Sequence, residues 1–591
     1  MYAQSLEKTY QHKAKELNLS ESRYWKLLLH MNGVESEIDD ASFFLSSEGK
    51  YNASSELNVT IALLLNETVF DNNATACRFP ARKAWLQEQL EIDEFPQTNC
   101  HALNTLIKKV DPKSATLVFP SAHINSPASM FGHTFLRIDS SYDSKLLSHA
   151  INYAATADQD TENGVVFAVK GLFGGYSGVY SLLPYYEKLK EYRDTEQRDI
   201  WEYKLNLSEE EVRRMLLHVW ELGNSFSWYY FFDENCSYNM LWLIEVARPT
   251  VHLREKFFYH VMPIDTVFAL EEENLVSHKH FRPSKRQILL AYEKSLSPEL
   301  LDSVTAVSRG ELDVKIALDK NSSIQEKRYL LEASSELLEY LYIENRINSD
   351  EYKQRFHTVL NERSKLGRGE AIVVNEPHNP DQSHRANLIT VQAALQEGEV
   401  GYMLGFRPAY HTLVDSDIGL LRGTQIEFLS LLLHYSKNKR LEIEDMTILS
   451  LSSIAQRSTF FKPFSWRTSF KFDRNYMSDE LLFKASVGAG YSWGNEWSYF
   501  YALADLLSYV KSSSSMGVSA SLGGVIYEAE QFKTNIELTQ RLYIDGTTQS
   551  LVNISQLWSF DKNRALKLQY DYVQYMLGQK RTLKLVFDYF F

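Results

Sequence analysis

The end of the chain alternates apolar and polar residues with a period of two. In the final segment Leu583, Leu585, Phe587, Tyr589 and Phe591 fall on one side, and Lys584, Val586, Asp588 and Phe590 fall on the other. Residues 566–573 and 532–539 repeat the alternation, with Lys, Gln, Asp, Asn and Glu side chains on one side. This period predicts β-strands that have one apolar and one polar face.

Segments of this kind recur between residues 385 and 591. We count about twelve, each of about 10–14 residues, which is long enough for a tilted strand to cross a bilayer. They are separated by turn residues, as in Lys437–Lys439, Trp493–Asn495, Asp545–Thr547 and Asp561–Asn563. The region resembles a small bacterial outer-membrane β-barrel, and the terminal Phe591 resembles the residue that ends such barrels. A soluble β-sandwich or antiparallel barrel, in which the alternation would face a core, is the alternative.

The composition excludes other classes of protein. Among 591 residues, Asp and Glu number 76 and Lys and Arg number 62, so the net charge is −14. There is no basic excess to neutralise the phosphates of a nucleic acid. Aromatic residues make up 13% of the chain, which suits the aromatic girdles of a membrane barrel. A run of about 18 apolar residues, as a transmembrane helix needs, does not occur.

The chain begins without a signal peptide. A cytoplasmic protein is one explanation, and a mature chain whose signal has been removed is the other. The barrel pattern favours the second explanation. We therefore expect an outer-membrane location with the remaining regions facing the periplasm.

Five regions follow one another in an α+β chain that ends in a barrel. We predict an N-terminal helical accessory domain (1–111), a catalytic domain (112–283), a helical hairpin (284–366), a linker (367–384) and the barrel (385–591). Heptad-like spacing of apolar residues indicates the hairpin. Gly, Pro and polar residues indicate the linker.

The three cysteines bear on both the compartment and the chemistry. Cys77 and Cys100 bracket a short segment and could close a modest loop, which would suit an oxidising compartment such as the periplasm. Two buried free thiols are the alternative. The cysteines are dispersed, and no His-x-x-x-His or Cys-x-x-Cys pair occurs, so we predict neither a metal site nor a cofactor.

The candidate catalytic residues lie between residues 112 and 263. Alternation over 134–138 predicts a strand headed by His133, and residues 148–154 pair back on it as a hairpin. Cys236 falls in the first turn of a predicted helix that Asp233 caps. A helix N-terminus lowers the pKa of a thiol, and a histidine on a neighbouring strand is the usual base for it.

A third residue should lie on the strand beside His133 and orient its imidazole ring. With the turn centred near residues 142 and 143, His133 faces residue 151 or 152, so Asn152 is the first candidate. His149 is the alternative, because a register slip of one residue would exchange the two faces. A buried structural cysteine is the competing interpretation of Cys236, although its polar, turn-like neighbours are unusual for a core position.

Five motifs in order resemble the Lnb-type periplasmic domain over about residues 112–265. They are SMFGHTFLRID, SHAINYAA, KGLFGGYSG, RDIWEYKLNLS and YYFFDENCSYNML. The family is similar to circularly permuted papain-like (NlpC/P60-like) enzymes, among them lecithin:retinol acyltransferase. The resemblance implies a permuted papain-like fold, with Cys236 as nucleophile and His133 as general base. It implies Asn152 or His149 as the orienting residue.

The resemblance also implies a reaction. The better-known members of the family look like N-acyltransferases, which move an acyl chain from a phospholipid to the α-amino group of a lipoprotein's N-terminal cysteine. Backbone N–H groups at the start of the helix, including that of Cys236, would hold the oxyanion. Further candidate donors are Asn235, Ser126 and Ser129. Gly174 and Gly175 would belong to a mobile flap over the site, an ordinary tight turn being the alternative.

We therefore expect an outer-membrane-anchored thiol acyltransferase. Its partners would be outer-membrane lipid, a phospholipid acyl donor and a lipoprotein or peptide acceptor, and its oligomeric state stays open. The family's acyltransferases are expected to carry a helical membrane region instead of a barrel, so the acceptor is not inherited. The alternatives are a cysteine amidase or peptidase that cleaves cell-wall or peptide substrates, and a non-catalytic barrel with a periplasmic docking domain.

Overall fold

The chain folds into two compact units, Met1–Ser284 (unit 1) and Lys285–Phe591 (unit 2). The computed structural model describes residues 2–93, 95–121, 132–156, 166, 170–171, 174–257, 260–319, 321–435, 440–476, 480–510, 515–575 and 578–591. Unit 1 mixes helices with a sheet, and unit 2 consists of helices followed by a barrel.

The described helices of unit 1 are α1 (Tyr2–Glu16), α2 (Arg23–Leu28), α3 (Ala53–Leu65), α4 (Thr75–Arg78), α5 (Pro80–Leu90), α6 (His101–Val110), α7 (Tyr185–Leu189), α8 (Glu209–Leu222), α9 (Cys236–Ala247) and α10 (Pro263–Glu272). Its strands are β1 (Met31–Asn32), β2 (Glu35–Ser36), β3 (Ser114–Pro120), β4 (Phe135–Asp139), β5 (His149–Ala155), β6 (Tyr176–Pro184), β7 (Ile200–Leu205), β8 (Phe226–Tyr229) and β9 (Val276–Arg282). The strands β3–β9 form one antiparallel sheet in the order β8-β6-β5-β4-β3-β7-β9.

The helix α9 is the centre of unit 1. All twelve of its residues are buried, and it packs against β4, β5 and α8. The strand β4 is likewise buried along its whole length. A helix that is apolar on all sides belongs in the interior of a protein, and here it covers the middle strands of the sheet.

The N-terminal residues, predicted as an accessory domain over 1–111, pack on α8 of unit 1. The indole N–H of Trp220 in α8 donates to the carbonyl of Cys77 (2.8 Å). The carboxylate of Glu221 accepts from the N–H groups of Ala81 (2.7 Å) and Arg82 (3.0 Å), which open α5. A helical pattern predicts helices but not the surface on which they pack. In this region a disulfide joins Cys77 to Cys100.

The prediction of a helical hairpin over 284–366 is wrong. Five helices occupy this stretch: α11 (Lys285–Ser295), α12 (Pro298–Arg309), α13 (Val314–Leu318), α14 (Ile324–Ile343) and α15 (Ser349–Lys365). Pro298 opens α12 and the left-handed Gly310 ends it, so the chain turns more often than the apolar spacing indicates. Among the described residues, no helix is both long and apolar enough to cross a membrane.

The barrel strands are β10 (Leu388–Gln396), β11 (Glu399–Arg407), β12 (Ala409–His411), β13 (Thr424–Tyr435), β14 (Leu441–Ser453), β15 (Ser465–Asp473), β16 (Leu482–Gly494), β17 (Ser498–Val510), β18 (Ser515–Ala529), β19 (Phe532–Tyr543), β20 (Thr548–Ser559), β21 (Arg564–Tyr575) and β22 (Gly578–Phe590). The short β12 continues β11, since both pair with β13. The strand β10 pairs with both β11 and β22. The ring is therefore closed and antiparallel with twelve strands, as predicted.

The two faces of the barrel have opposite chemistry. On β19, Phe532, Leu538 and Leu542 are exposed on the outside, whereas Lys533, Asn535, Thr539 and Arg541 are buried inside. On β22, Leu583, Leu585, Phe587 and Tyr589 are exposed, and Asp588 is buried. A soluble barrel would bury its apolar side chains, whereas a membrane barrel turns them toward lipid. The prediction of an outer-membrane barrel is confirmed, and its soluble alternative fails.

Candidate active site

Asn235 caps the helix that carries the candidate nucleophile. Its side-chain oxygen accepts from the N–H groups of Ser237 (2.9 Å) and Tyr238 (3.2 Å). Its amide nitrogen donates to the carbonyls of Phe231 (3.1 Å) and Val261 (2.7 Å). The cap is therefore Asn235 and not the predicted Asp233. Since both ends of the Asn235 amide are engaged, this side chain is not the oxyanion donor that the sequence suggested.

Cys236 is the first residue of α9, and only 4% of it is exposed. Burial opposes ionisation of the thiol, but attraction to His133 and hydrogen bonds from His133, the N–H of Thr134 and Ser237 outweigh it. Together they lower the pKa of Cys236 to about 6. A pKa of about 6 favours the thiolate form of Cys236 at neutral pH, and the thiolate is the nucleophilic form of a cysteine side chain.

His133 lies between the thiol and Asn152. Its Nε2–H donates to the side-chain oxygen of Asn152 (2.9 Å), which leaves Nδ1 for the sulfur. Burial opposes protonation of the ring, but the charge of Cys236 and hydrogen bonds to Cys236 and Asn152 hold the pKa of His133 above its ordinary value. The two shifts have one cause, because a thiolate and an imidazolium stabilise each other.

Two contacts hold this pair in position. The hydroxyl of Thr134, next to His133, donates to the hydroxyl of Ser237, next to Cys236 (2.9 Å). The ring of Tyr192 stacks on the imidazole of His133, with 5.5 Å between centroids and 29° between planes. The hydrogen bond between Thr134 and Ser237 thus joins the start of β4 to the start of α9, beside the imidazole of His133 and the sulfur of Cys236.

The register of the hairpin differs from the predicted one. Leu136 pairs with Ile151 and Ile138 pairs with His149, so the partners of β4 lie further along β5 than expected. The 3₁₀ turn Lys145–Leu147 widens the connection between the strands. The structure brings Asn152 to His133 across a diagonal of the ladder. It places His149 opposite Ile138, at the other end of β4.

Tyr229 is a site residue that the sequence reasoning missed. The N–H of Cys236 donates to the hydroxyl of Tyr229 (3.2 Å), which also contacts the thiol. Burial and the charge of Cys236 raise the pKa of Tyr229 well above its ordinary value, so the phenol keeps its proton. The ring stacks on buried Tyr153 at 5.7 Å and 17°. The signal in the sequence is the aromatic run WYYFF ahead of the cysteine, which contains Tyr229.

The predicted flap packs on this aromatic run. The carbonyl of Gly171 accepts from the N–H of Phe231 (2.9 Å). Gly174 has a φ of +74°, and an added Cβ would lie 2.5 Å from the ring of Tyr230. The N–H of Gly175 donates to the backbone carbonyl of Lys170 (2.7 Å). The loop thus approaches the site through the residues that lead to Cys236. The other two predicted donors, Ser126 and Ser129, lie outside the described residues.

Carboxyl groups lie near the start of α9. Burial and the nearby Glu37, Asp233 and Asp39 raise the pKa of Glu234 to about 9. Glu234 is therefore neutral at pH 7, while the surrounding field favours a cation. Within the part of the chain that the structure describes, no three His, Cys, Asp or Glu side chains lie close enough together to hold a metal ion.

Cys236, His133 and Asn152 all lie within a stretch of the chain that matches a known family. Residues 102–273 match the family described as "Lnb N-terminal periplasmic domain". Unit 1 contains an Lnb domain. Three further families, each described as a "Domain of unknown function", match residues 17–89 (DUF7843), 279–373 (DUF7842) and 377–590 (DUF7840). The Lnb domain covers the whole constellation, and the chain continues beyond it on both sides.

Solved structures similar to the chain include porins. The KdgM porin is 12% identical, with 34% of this chain and 99% of that chain covered and a TM-score of 0.23. The NanC porin is 9% identical, with 34% and 99% covered and a TM-score of 0.25. Omp33 of Acinetobacter baumannii is 11% identical, with 36% and 100% covered and a TM-score of 0.20. No curated protein matches the chain.

The barrel, by the chemistry of its own two faces, locates the chain in the outer membrane. The Lnb domain, as its family description states, faces the periplasm. Phospholipids of the inner leaflet lie on that side of the membrane.

Proposed function

We propose that the protein is a cysteine-dependent acyltransferase of the outer membrane, with a permuted papain-like Lnb domain. The observation that carries the proposal is the buried contact of Cys236 with His133, whose other ring nitrogen is held by Asn152. A thiolate at a helix start, a histidine and an orienting amide together make an activated nucleophile.

The first half of the reaction would form an acyl-thioester. The sulfur of Cys236 attacks the carbonyl carbon of a phospholipid ester, and the bond between that carbon and the glycerol oxygen breaks. His133 gives its proton to the departing oxygen. The products are a thioester on Cys236 and a lysophospholipid, with the ring of His133 left neutral.

The second half would use an amine. Its nitrogen attacks the thioester carbon, the carbon–sulfur bond breaks, and the proton of the nitrogen passes to His133. An amide leaves, and the thiolate–imidazolium pair is restored. Water in place of the amine would release a fatty acid, which is the hydrolase alternative.

The surroundings of the thiol favour these steps. The hydroxyl of Tyr229 lies beside the sulfur, where the oxyanion of each tetrahedral intermediate would form, and would donate a hydrogen bond to that oxyanion. The N–H of Cys236, the donor expected from the sequence, is already bonded to the Tyr229 hydroxyl (3.2 Å). The acidic groups near Glu234 would attract an amine in its cationic form, which loses one proton to solvent before its nitrogen attacks the thioester. The membrane location supplies phospholipid as donor and lipoprotein as acceptor.

The test is to trap the thioester. The purified full chain in detergent micelles is mixed with phosphatidylethanolamine that carries a fluorescent acyl chain, and the reaction is stopped with acid. We expect a fluorescent adduct that hydroxylamine releases and that peptide mass spectrometry places on Cys236. Addition of a peptide with an N-terminal diacylglyceryl-cysteine should discharge the adduct into an amide.

Variants separate chemistry from folding. Cys236→Ala should form no adduct, and Asn152→Ala should form it slowly. Asn104→Ala, on the exposed side of α6, is the matched control and should react as the wild type does. Discharge to fatty acid in the presence of the amine would identify a hydrolase. A wild-type protein that forms no adduct, and whose Cys236 resists alkylation until it is unfolded, would leave only a docking role.

A further inference from the structure

The segment that joins β12 to β13, residues 412–423, runs through the interior of the barrel. Leu413 packs on the buried residues Tyr499, Tyr501 and Val525 of β17 and β18. The amide of Asn535 in β19 donates to the carbonyl of Leu413 (3.5 Å). In the ring of twelve strands, β18 lies opposite β12 and β19 lies opposite β13. A segment that leaves β12 and contacts β17, β18 and β19 therefore crosses the lumen.

Asp415 fixes the segment at mid-crossing. Its carboxylate is completely buried and accepts from Arg407 of β11 (2.7 Å) and Lys567 of β21 (2.6 Å). The N–H and hydroxyl of Thr412 donate to the same group (2.7 and 2.9 Å). Lys533 of β19 donates to the carbonyl of Asp415. Three separate strands thus hold one residue of the segment by charge-assisted hydrogen bonds, which are the strong kind.

The rest of the segment is also tied down. The hydroxyl of Tyr527 in β18 donates to Asp417 (2.6 Å), and Lys533 forms an ion pair with the same carboxylate (3.4 Å). Gly419 has a φ of +71°, and an added Cβ would lie 2.7 Å from the carbonyl of Asn379. Only a glycine fits so close to the residues that precede the barrel.

Next to the segment lies a polar cavity of about 320 Å³. Thr412 and Leu413 form part of its wall, and strand residues such as Arg467, Asp505 and Glu537 form the rest. Arg467 donates to both oxygens of Asp505 (2.6 and 2.7 Å) and to Glu537 (3.0 Å). The lumen is thus polar like that of a channel, but the segment 412–423 bounds it.

We propose that residues 412–423 are a plug that closes the barrel to solutes, and that Asp415 is the residue that locks it. The barrel then anchors the chain in the membrane without conducting. Release of the plug would need three buried cations to lose their shared partner, so thermal opening should be rare.

The test measures ion conductance in planar phosphatidylcholine bilayers with the full chain in potassium chloride. The wild type should insert without current steps. A variant in which a short Gly-Ser linker replaces residues 413–422 should give steady steps. A short linker can span the deleted segment, because β12 and β13 are antiparallel neighbours and His411 pairs with Ile426. Heat-modifiable migration on gels checks that the barrel has folded.

A point variant gives a second measurement. Asp415→Ala should show intermittent current steps where the wild type shows none. Asp561→Ala, in the exposed turn between β20 and β21, is the matched control and should stay silent. Steps from the wild type would overturn the proposal, and so would a folded deletion variant that stays silent. If the deletion variant does not fold, equal silence of Asp415→Ala and Asp561→Ala would overturn it.

Discussion

Replacement of His133 by alanine should move the pH at which Cys236 becomes reactive. In the wild type the imidazolium stabilises the thiolate, so alkylation should rise as the pH increases through about 6. Without His133 the burial of the thiol is no longer offset by that charge. The reactive form should then appear only above the free-thiol pKa of about 8.5.

The size of the effect at pH 7 follows from these two values. With a pKa of about 6, about 90% of Cys236 is thiolate. With a pKa of about 8.5, roughly 3% is thiolate, so the alkylation rate should fall about thirtyfold or more. The corresponding change in pKa, about 2.5 units, represents about 3 kcal/mol of interaction between the two groups.

The assay is alkylation of the folded protein by iodoacetamide between pH 5 and 10, followed by mass spectrometry of the Cys236 peptide. His149→Ala is the matched control, since His149 lies on the same hairpin but opposite Ile138. It should leave the wild-type profile unchanged. A His133→Ala profile that coincides with the wild type would refute the ion pair. If His149→Ala shifted the pH profile of alkylation and His133→Ala did not, the base would be His149 and the assignment to His133 would be wrong.

Three further outcomes are expected. Tyr229→Phe should slow single-turnover thioester formation about 10²-fold, the usual effect of losing one oxyanion donor, with little change in melting temperature. Cys77→Ser with Cys100→Ser should lower the stability of unit 1 by about 3 kcal/mol for a cysteine separation of 23, as measured by calorimetry. Arg82→Met should cost about 3–5 kcal/mol in urea unfolding, because it leaves the carboxylate of Glu56 buried without its cationic partner.

The barrel could be predicted from the sequence because a single requirement dominates it. Each strand must present apolar side chains to lipid and can keep polar ones inside, so Phe532 and Lys533 report their faces directly. The plug shows no such pattern. Its position depends on Asp415 meeting Arg407 and Lys567, which are distant in the sequence.

The candidate site was predictable where chemistry restricts residue types. Cys236 and His133 were found from their local positions at a helix start and a strand start. The prediction of Asn152 rests on a register that the structure does not have, and its side chain reaches His133 diagonally across the two strands. The aromatic run ahead of Cys236 does not single out Tyr229, since the contact of Tyr229 with Cys236 exists only once β8 and α9 have packed.

The pairing of β10 with β22 has a consequence for how the protein is made. Leu388 pairs with Phe590, so the first strand of the ring cannot complete its pairing until β22, the last strand of the ring, has been made. Until then, the growing sheet has two edge strands whose backbone N–H and C=O groups cannot form hydrogen bonds with lipid. Loss of β22 would therefore leave one edge of β10 and one edge of β21 unpaired and would abolish the whole membrane anchor rather than shorten it.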